Sequence, residues 1–313
     1  MGAQDTPPTH VIEVERHSLH GRFNAELPPV LTIDPGDSVQ LRTLDAGWRV
    51  SPDTAEGRGE LFAPRDPEHD DGHCLSGPIA VRGAEPGMVL GVRIDEIRCG
   101  RWGVTGSGRL QAELPRRLGL ERETALRWTL DPDRGTGVDQ FGHGVRLSPF
   151  MGVMGMPPPG PGWHPTPPPR AWGGNIDCKE LVAGSTIYLP VPVSGGLFSV
   201  GDGHALQADG EVSGTAIECP MERVVLTFSL HPDMTLPAPA ADTGREWLTF
   251  GFHEDLDEAA ARAVDGMLRH IGERWSIPRE EALALCSLLV DIRVTQVVNG
   301  VKGVHAVLPH GAL

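Results

Sequence analysis

Residues 79–94 read Ile79-Ala80-Val81-Arg82-Gly83-Ala84-Glu85-Pro86-Gly87-Met88-Val89-Leu90-Gly91-Val92-Arg93-Ile94, two strand-like runs on either side of an acid-Pro-Gly turn. Proline presets φ at the second position of such a turn, and glycine accepts the positive φ of the third, the pattern of a type II turn. The same phrase stands about fifty residues earlier, where Pro29-Val30-Leu31-Thr32-Ile33 leads through Asp34-Pro35-Gly36-Asp37 into Ser38-Val39-Gln40-Leu41-Arg42-Thr43. Two strand–turn–strand units predict a β-sandwich or barrel-like core, and a single repetition falls short of a solenoid. Outward from these, Val11-Ile12-Glu13-Val14, Thr186-Ile187-Tyr188-Leu189-Pro190-Val191 and Val224-Val225-Leu226-Thr227-Phe228 also read as strands.

The chain changes period near its end. Asp255-Leu256-Asp257-Glu258 resembles a capping box ahead of a helix over 259–274, with Ala260, Val264, Met267, Leu268 and Ile271 at helical spacing. Pro278 followed by Glu280 and Glu281 opens a second helix to about Leu289, since proline and acids suit a first turn. Ile292 to Val298 then looks like a strand. The expected class is α+β and β-dominated, a sandwich or barrel-like core with two helices near the C-terminus. Residues 1–313 read as a single unit, with a β-rich part over 1–150 and the catalytic β part plus the helices over 151–313. Residues 51–72 and 100–145, rich in Gly, Asp and Arg, read as excursions. The Pro/Gly tract 155–174 is either a linker or a rigid loop packed over a site, and Trp163 and His164 within it favour the loop.

Charge narrows the partners. The 313 residues carry 27 Lys+Arg against 42 Asp+Glu, a net −15, which argues against nucleic acid and against an anionic membrane surface. The longest strongly apolar stretch, Leu283 to Val290, is too short to span a bilayer. The opening residues Met1 to Pro8 lack the apolar core of a signal peptide, and Met1-Gly2 with Thr6 is a short, chance-level match to an acylation pattern. Five cysteines, an odd number, suit reduced thiols in a cytoplasmic protein. Lys179 and Lys302 are the only lysines, which singles out Lys179 where a compact donor is needed.

Residues 173–218 hold the chemistry. In extended backbone, side chains alternate, so Asn175, Asp177 and Lys179 of Gly173-Gly174-Asn175-Ile176-Asp177-Cys178-Lys179 would share a face. Asp202 and His204 of Gly201-Asp202-Gly203-His204 would do the same, and Asp209-Gly210-Glu211 repeats the spacing with two carboxylates. Asn, Asp and Gly are also ordinary turn residues, so each pair alone reads as a turn. Three such pairs among apolar strands point to a metal or hydrolytic site, because hard oxygens and an imidazole flanked by glycine can approach closely. His73, before Cys74, is a weaker candidate with a loop reading beside it. Glu85 is a candidate base or simply the acid of its turn. Cys178 would face away from Asp177 and Lys179 and reads as a buried structural thiol. G-x-S-x-G, H-E-x-x-H, Walker and dinucleotide motifs are absent.

The run Gly174-Asn175-Ile176-Asp177-Cys178-Lys179-Glu180-Leu181 and the run Gly184-Ser185-Thr186-Ile187-Tyr188-Leu189-Pro190-Val191 resemble the acetamidase/formamidase family. Gly201-Asp202-Gly203-His204-Ala205, Asp209 to Glu218, Gly77-Pro78-Ile79, Gly83-Ala84-Glu85-Pro86-Gly87, Pro149 to Gly155, Val297-Val298-Asn299-Gly300 and Gly303-Val304-His305 extend the likeness over nearly the whole chain. Met88, Ala208 and Ser213 depart from the family pattern, which bears on the substrate rather than the reaction class. The resemblance implies a β-rich homo-oligomer that hydrolyses a small aliphatic amide, formamide or acetamide in type, to carboxylate and ammonia with a bound divalent metal. Zinc is the first expectation for that metal, with calcium, magnesium or manganese compatible. Asp177, Asp202 and His204, with His73, are the expected ligands. Glu211 or Glu85 is the expected general base and then acid, Lys179 steadies the oxyanion, and Asn175 hydrogen-bonds the substrate or a ligand. Two other readings stand beside this one: a metal-independent Cys-Lys-Glu amidase with Cys178 as nucleophile, and a catalytically silent relative that binds a small amide.

Overall fold

A computed structural model describes residues 8–107 and 113–313; the Met1-Gly2 match lies outside them. Both acid-Pro-Gly phrases form turns. Asp37 N–H donates to the Asp34 carbonyl at 3.0 Å and Met88 N–H to the Glu85 carbonyl at 3.1 Å, with Gly36 at φ 102° and Gly87 at φ 96°. They are not hairpins. Each carries the chain from one sheet to another. Leu31–Ile33 and Leu75–Val81 pair in parallel in a six-stranded sheet, while Ser38–Thr43 and Val89–Cys99 flank Met221–His231 in a nine-stranded one. The repeated phrase is thus the pair of corners where two sheets fold over one another.

The nine-stranded sheet runs His10–Ile12, Ser38–Thr43, Met221–His231, Val89–Cys99, Thr186–Pro190, Ala240–Asp242, Glu246–His253, Lys302–Pro309 and Asp291–Gln296. The six-stranded sheet orders Gly173–Asn175, Phe150–Gly155, Phe198–His204, Leu75–Val81 and Leu19–His20, with Leu31–Ile33 attached to Leu75–Val81. Their facing sides share one apolar core. Ile79, Val81, Met151, Met154 and Val200 meet Val39, Leu41, Val92, Ile94 and Leu226, and the Phe198 and Phe228 rings touch edge to face with centroids 5.4 Å apart. This is the sandwich expected from the alternating runs.

The described residues of the stretch 100–145 are more ordered than its composition suggests. Trp102–Ser107, Thr124–Asp131, Thr136–Asp139 and Gly144–Arg146 make an antiparallel meander, preceded at Thr124 by a short helix, α1, Glu113–Arg117. The late helices are α2, Leu256–Trp275, and α3, Arg279–Leu289. Asp255 caps α2 by accepting from the Asp257 and Glu258 amides. Ala263, Met267 and Ile271 of α2 and Ala282 of α3 pack with Val304, Ala306 and Leu308 in a second apolar cluster. No helix among the described residues is long and apolar enough to cross a membrane.

One buried histidine ties the six-stranded sheet together. His20 Nδ1 donates to the Arg22 carbonyl at 2.8 Å, and Nε2 accepts from the Ser199 hydroxyl at 3.0 Å. Burial lowers its pKa to about 4. Between that value and the ordinary 6.5, the unfolded chain takes up a proton that the folded chain refuses. The stabilisation is therefore complete above pH 6.5 and is lost as pH falls toward 4, by about 3 kcal/mol at the limit. Denaturant melts from pH 7 to 4 should show a shallower loss of stability in His20→Gln than in the parent chain. Parallel slopes would refute the assignment.

Candidate active site

At the centre of the site is a residue without a side chain. Gly152 lies mid-strand, opposite Asp202 in the register set by Met151 with Gly203 and Val153 with Gly201. A Cβ on Gly152 would stand 2.5 Å from Asp202 Oδ2, 2.7 Å from His204 Cε1 and 2.8 Å from Asp177 Oδ1. Three side chains thus converge on space that glycine alone leaves open. Asp202 and His204 come from the strand Phe198–His204. Asp177 follows Gly173–Asn175, where the amides of Ile176 and Asp177 both donate to the Gly152 carbonyl at 3.0 and 3.2 Å.

Two more acids join them. Glu218 is brought in by backbone bridges to His204 and Val104. Glu211 sits in the loop between His204 and Glu218, held by the pairing of Gly210 with Gln296. All five groups are buried. Asp177, Asp202 and Glu211 have φ of 55°, 58° and 45°, a left-handed backbone that costs a non-glycine residue ~1–3 kcal/mol and concentrates at functional sites.

The donors approach one another without bonding. His204 Nε2 is 3.2 Å from Asp202 Oδ1 and 3.2 Å from Glu218 Oε2, but neither contact is aligned as a hydrogen bond. Both His204 nitrogens, Asp177 Oδ1, Glu211 Oε2 and Glu218 Oε2 are buried with no hydrogen-bond partner among the described residues. Four carboxyl groups facing one imidazole repel each other in a poorly solvated place. Burial, reinforced by neighbouring carboxylates, pushes Asp177 up to about 8 and Glu218 up to about 7, and raises Glu211 well above its ordinary value. Burial alone would lower His204, but Glu218 and Asp202 outweigh it and hold the imidazole well above its usual range. Burial works against the Asp202 carboxylate too, but the charge on His204 and then His73 holds it low. Oxygen and imidazole donors, orphaned polar atoms and a cradle that a Cβ would fill are what a divalent cation requires, and the residues fit one. Two groups offer ligand atoms within 4.8 Å of one another, Asp177–His204–Glu211 and Asp202–His204–Glu218.

Asp202, Glu211 and Glu218 of the cluster line a cavity of about 600 Å³, together with Trp48, His73, Pro167, Asn175 and Asn299 among others. Asn175 is buried, with Oδ1 lacking a hydrogen-bond partner among the described residues. Asn299 Nδ2 donates to Asp177 Oδ2 at 2.8 Å, and Gln207 Nε2 to the Asp177 carbonyl at 2.8 Å. The Pro/Gly tract 155–174 packs over this cavity. Its fully buried Thr166 bonds the His73 amide at 3.0 Å and lies 2.7 Å from His73 Nδ1, while the Trp163 indole stacks on His69 at 4.1 Å.

The structure brings Asp202, His73, Asn175 and Glu211 to one cavity, and Asp177 and His204 meet Asp202 around Gly152. It places Lys179 and Glu85 elsewhere. The positive φ at Asp177 breaks the pleat on which the shared face with Lys179 depended, so the Lys179 amine turns away to Asp209 Oδ2 at 2.7 Å. Glu85 is exposed on its turn, where it accepts from the Ser194 hydroxyl at 2.6 Å. That turn lies beyond Val81, while the site lies at the Leu75 end of the same strand, where Leu75 pairs with Gly201. Cys178 is fully buried, hydrogen-bonded to Glu180 Oε2 at 3.2 Å and pushed well above the ordinary thiol range by burial, which leaves it unsuited to act as a nucleophile in the cavity. Glu218 and Gly152 were not singled out from the sequence as site residues. Glu218 has no local pattern to mark it, and Gly152 matters for the space it clears.

The sequence matches the model of the Acetamidase/Formamidase family over residues 7–160 and 164–310. It is 26% identical over 296 residues to a formamidase of Methylophilus methylotrophus, covering 74% of this chain and 71% of that protein. It is 29% identical over 309 residues to an acetamidase of Mycolicibacterium smegmatis, covering 74% and 73%. The crystal structure of an acetamidase from Bacillus halodurans superposes with a TM-score of 0.84 at 28% identity, covering 95% of this chain and 97% of that one.

Proposed function

The chain belongs to the acetamidase/formamidase family, and on that premise we propose that it hydrolyses a small aliphatic amide, formamide or acetamide in type, to carboxylate and ammonia at the buried carboxylate–imidazole cluster with a divalent metal, zinc, held there. The observation that carries the reading is the convergence of Asp177, Asp202 and His204 on Gly152, with Asp202 lining the cavity. Formamidases and acetamidases among its relatives supply the substrate class.

Amide hydrolysis needs an activated water, support for the tetrahedral oxyanion and a proton for the departing ammonia. A divalent ion, when bound, supplies a water acidic enough to ionise near neutral pH and polarises the carbonyl. Asp177, Asp202, His204 and Glu218 are the groups placed to hold it. Asn299 bonds the Asp177 carboxylate and Gln207 its backbone carbonyl, the outer-shell support that orients a ligand. Glu211 accepts the proton from water and returns it to the leaving nitrogen. Burial and then the charge of Asp177 raise its proton affinity, which favours its taking a proton from water. Asn175 presents its amide to the substrate. Trp48 and Pro167 wall the cavity. Five free, buried cysteines favour a reducing, cytoplasmic setting.

The test is an ammonia-release screen on formamide, acetamide, propionamide and urea with elemental analysis of the same sample. Turnover of a small amide, lost on exhaustive chelation and restored by zinc, is the expected result. Full activity after the metal has been removed to background would overturn the metal-dependent part, and no ammonia from any amide would overturn the substrate class.

A further inference from the structure

Beside the site, on the far side of Asp177, a second group of donors meets in the core. Cys178 and Glu180 come from the turn after Gly173–Asn175, and His305 from the strand Lys302–Pro309. Cys178 Sγ, a Glu180 carboxylate oxygen and a His305 nitrogen lie within 4.8 Å of one another. Cys178 and His305 are fully buried. We propose that Cys178 Sγ, Glu180 Oε2 and His305 Nε2 form a second cation site, for a thiophilic divalent ion such as zinc, distinct from the carboxylate cluster.

The distances suit that ion. Zinc bonds of ~2.3 Å to sulfur and ~2.0–2.2 Å to nitrogen and oxygen place tetrahedral neighbours roughly 3.4–3.6 Å apart. Sγ to Oε2 is 3.2 Å and Nε2 to Oε2 is 3.5 Å. In the absence of an ion, a hydrogen bond from the thiol accounts for the first contact and an ion pair between His305 and Glu180 for the second. His305 Nε2 is buried with no hydrogen-bond partner among the described residues, and faces the Glu180 carboxylate at 3.5 Å, a contact that a bound ion would replace with two metal bonds. Its other nitrogen is already fixed, with Nδ1 2.8 Å from Thr295 Oγ1, the outer-shell contact that metal-binding histidines use to set ring orientation.

The nearby cations do not occupy the same atom. Arg293 Nη1 is 3.0 Å and Lys179 Nζ 3.9 Å from Glu180 Oε1, leaving Oε2 to the ion. Lys179 is itself neutralised by Asp209 at 2.7 Å, and Arg293 also faces Glu246 and Asp291 at 3.8 and 3.7 Å. Binding breaks the S–H bond and forms a metal–sulfur bond, with the proton released to solvent. A thiolate and a carboxylate then balance the two positive charges. Because Cys178 adjoins Asp177, the bound ion would brace the turn that presents Asp177 to the reaction.

Cobalt(II) distinguishes the sites, because the carboxylate cluster contains no sulfur ligand. Protein produced in zinc-depleted medium with cobalt should show a near-ultraviolet thiolate-to-cobalt band and a cobalt equivalent beyond the one held by the carboxylates. Cys178→Ser should lose that band and that equivalent. His305→Gln should lose the same equivalent, which keeps the test open if either variant folds poorly. Asp202→Asn, aimed at the first site, should keep the band, so failure of the amidase reading and failure of this one are separable. Absence of the band in folded parent protein, or its survival in folded Cys178→Ser, would overturn the site and leave a hydrogen-bonded cluster.

Discussion

Gly152→Ala is expected to cost the protein its reaction although it adds one methyl group to a residue that touches no substrate. The added carbon would lie 2.5 Å from Asp202 Oδ2, 2.7 Å from His204 Cε1 and 2.8 Å from Asp177 Oδ1, well inside van der Waals contact. The side chains must give way, because the backbone cannot. The backbone at 152 is pinned by pairing to Gly201 and Gly203 on one flank and by Val153 with Asn175 on the other. The three side chains are buried, and they can move only out of their shared arrangement. A displacement of about 1 Å in reacting groups costs ~10²-fold in rate, and here three groups move at once. The expected result is a loss of at least that size in kcat/KM together with loss of bound metal. Overpacking should lower stability by ~1–3 kcal/mol without preventing folding. Ammonia release, elemental analysis and denaturant melts on one preparation read all three. Near-normal turnover in a metal-loaded Gly152→Ala would disprove the arrangement.

Asp202→Asn and His204→Ala should be more severe. Asp202 is the acid of the cluster that stays ionised, and His204 is shared by both groups of donors. Removing either dismantles the cation site rather than displacing it. A drop of ~10³-fold or more, about 4 kcal/mol of barrier, is expected. The fold should survive in both variants, because neither residue belongs to the apolar core shared by the two sheets. A circular dichroism spectrum like that of the parent, with metal at background and ammonia release lost, is the predicted combination. Retained metal and turnover in either variant would refute the assignment of the site.

The sequence carried much of the frame because its signals are local. The two acid-Pro-Gly turns, the Asp255 cap and the Pro278 start each follow from the conformations that single residues prefer, and each lies where those preferences put it. What local signals do not show is which sheet a strand joins, so the turns look like hairpins when they are corners. The meander over 102–146 was hidden because Gly, Asp and Arg say little about pairing made with distant neighbours. At the site, alternation placed Asp202 and His204 together and failed for Lys179, because a left-handed residue intervenes at Asp177. Glu218 arrives through backbone bridges to residues far along the chain, and the role of Gly152 exists only once three segments have closed around it.

Asp177, Asp202 and Glu211 sit in a backbone region where glycine or asparagine would rest more easily, with carboxyl groups crowded away from water. Sturdiness and turnover therefore pull in opposite directions at these three positions. Directed evolution for heat tolerance alone would drift toward inert, longer-lived versions of this chain, so any such campaign has to score ammonia in every round.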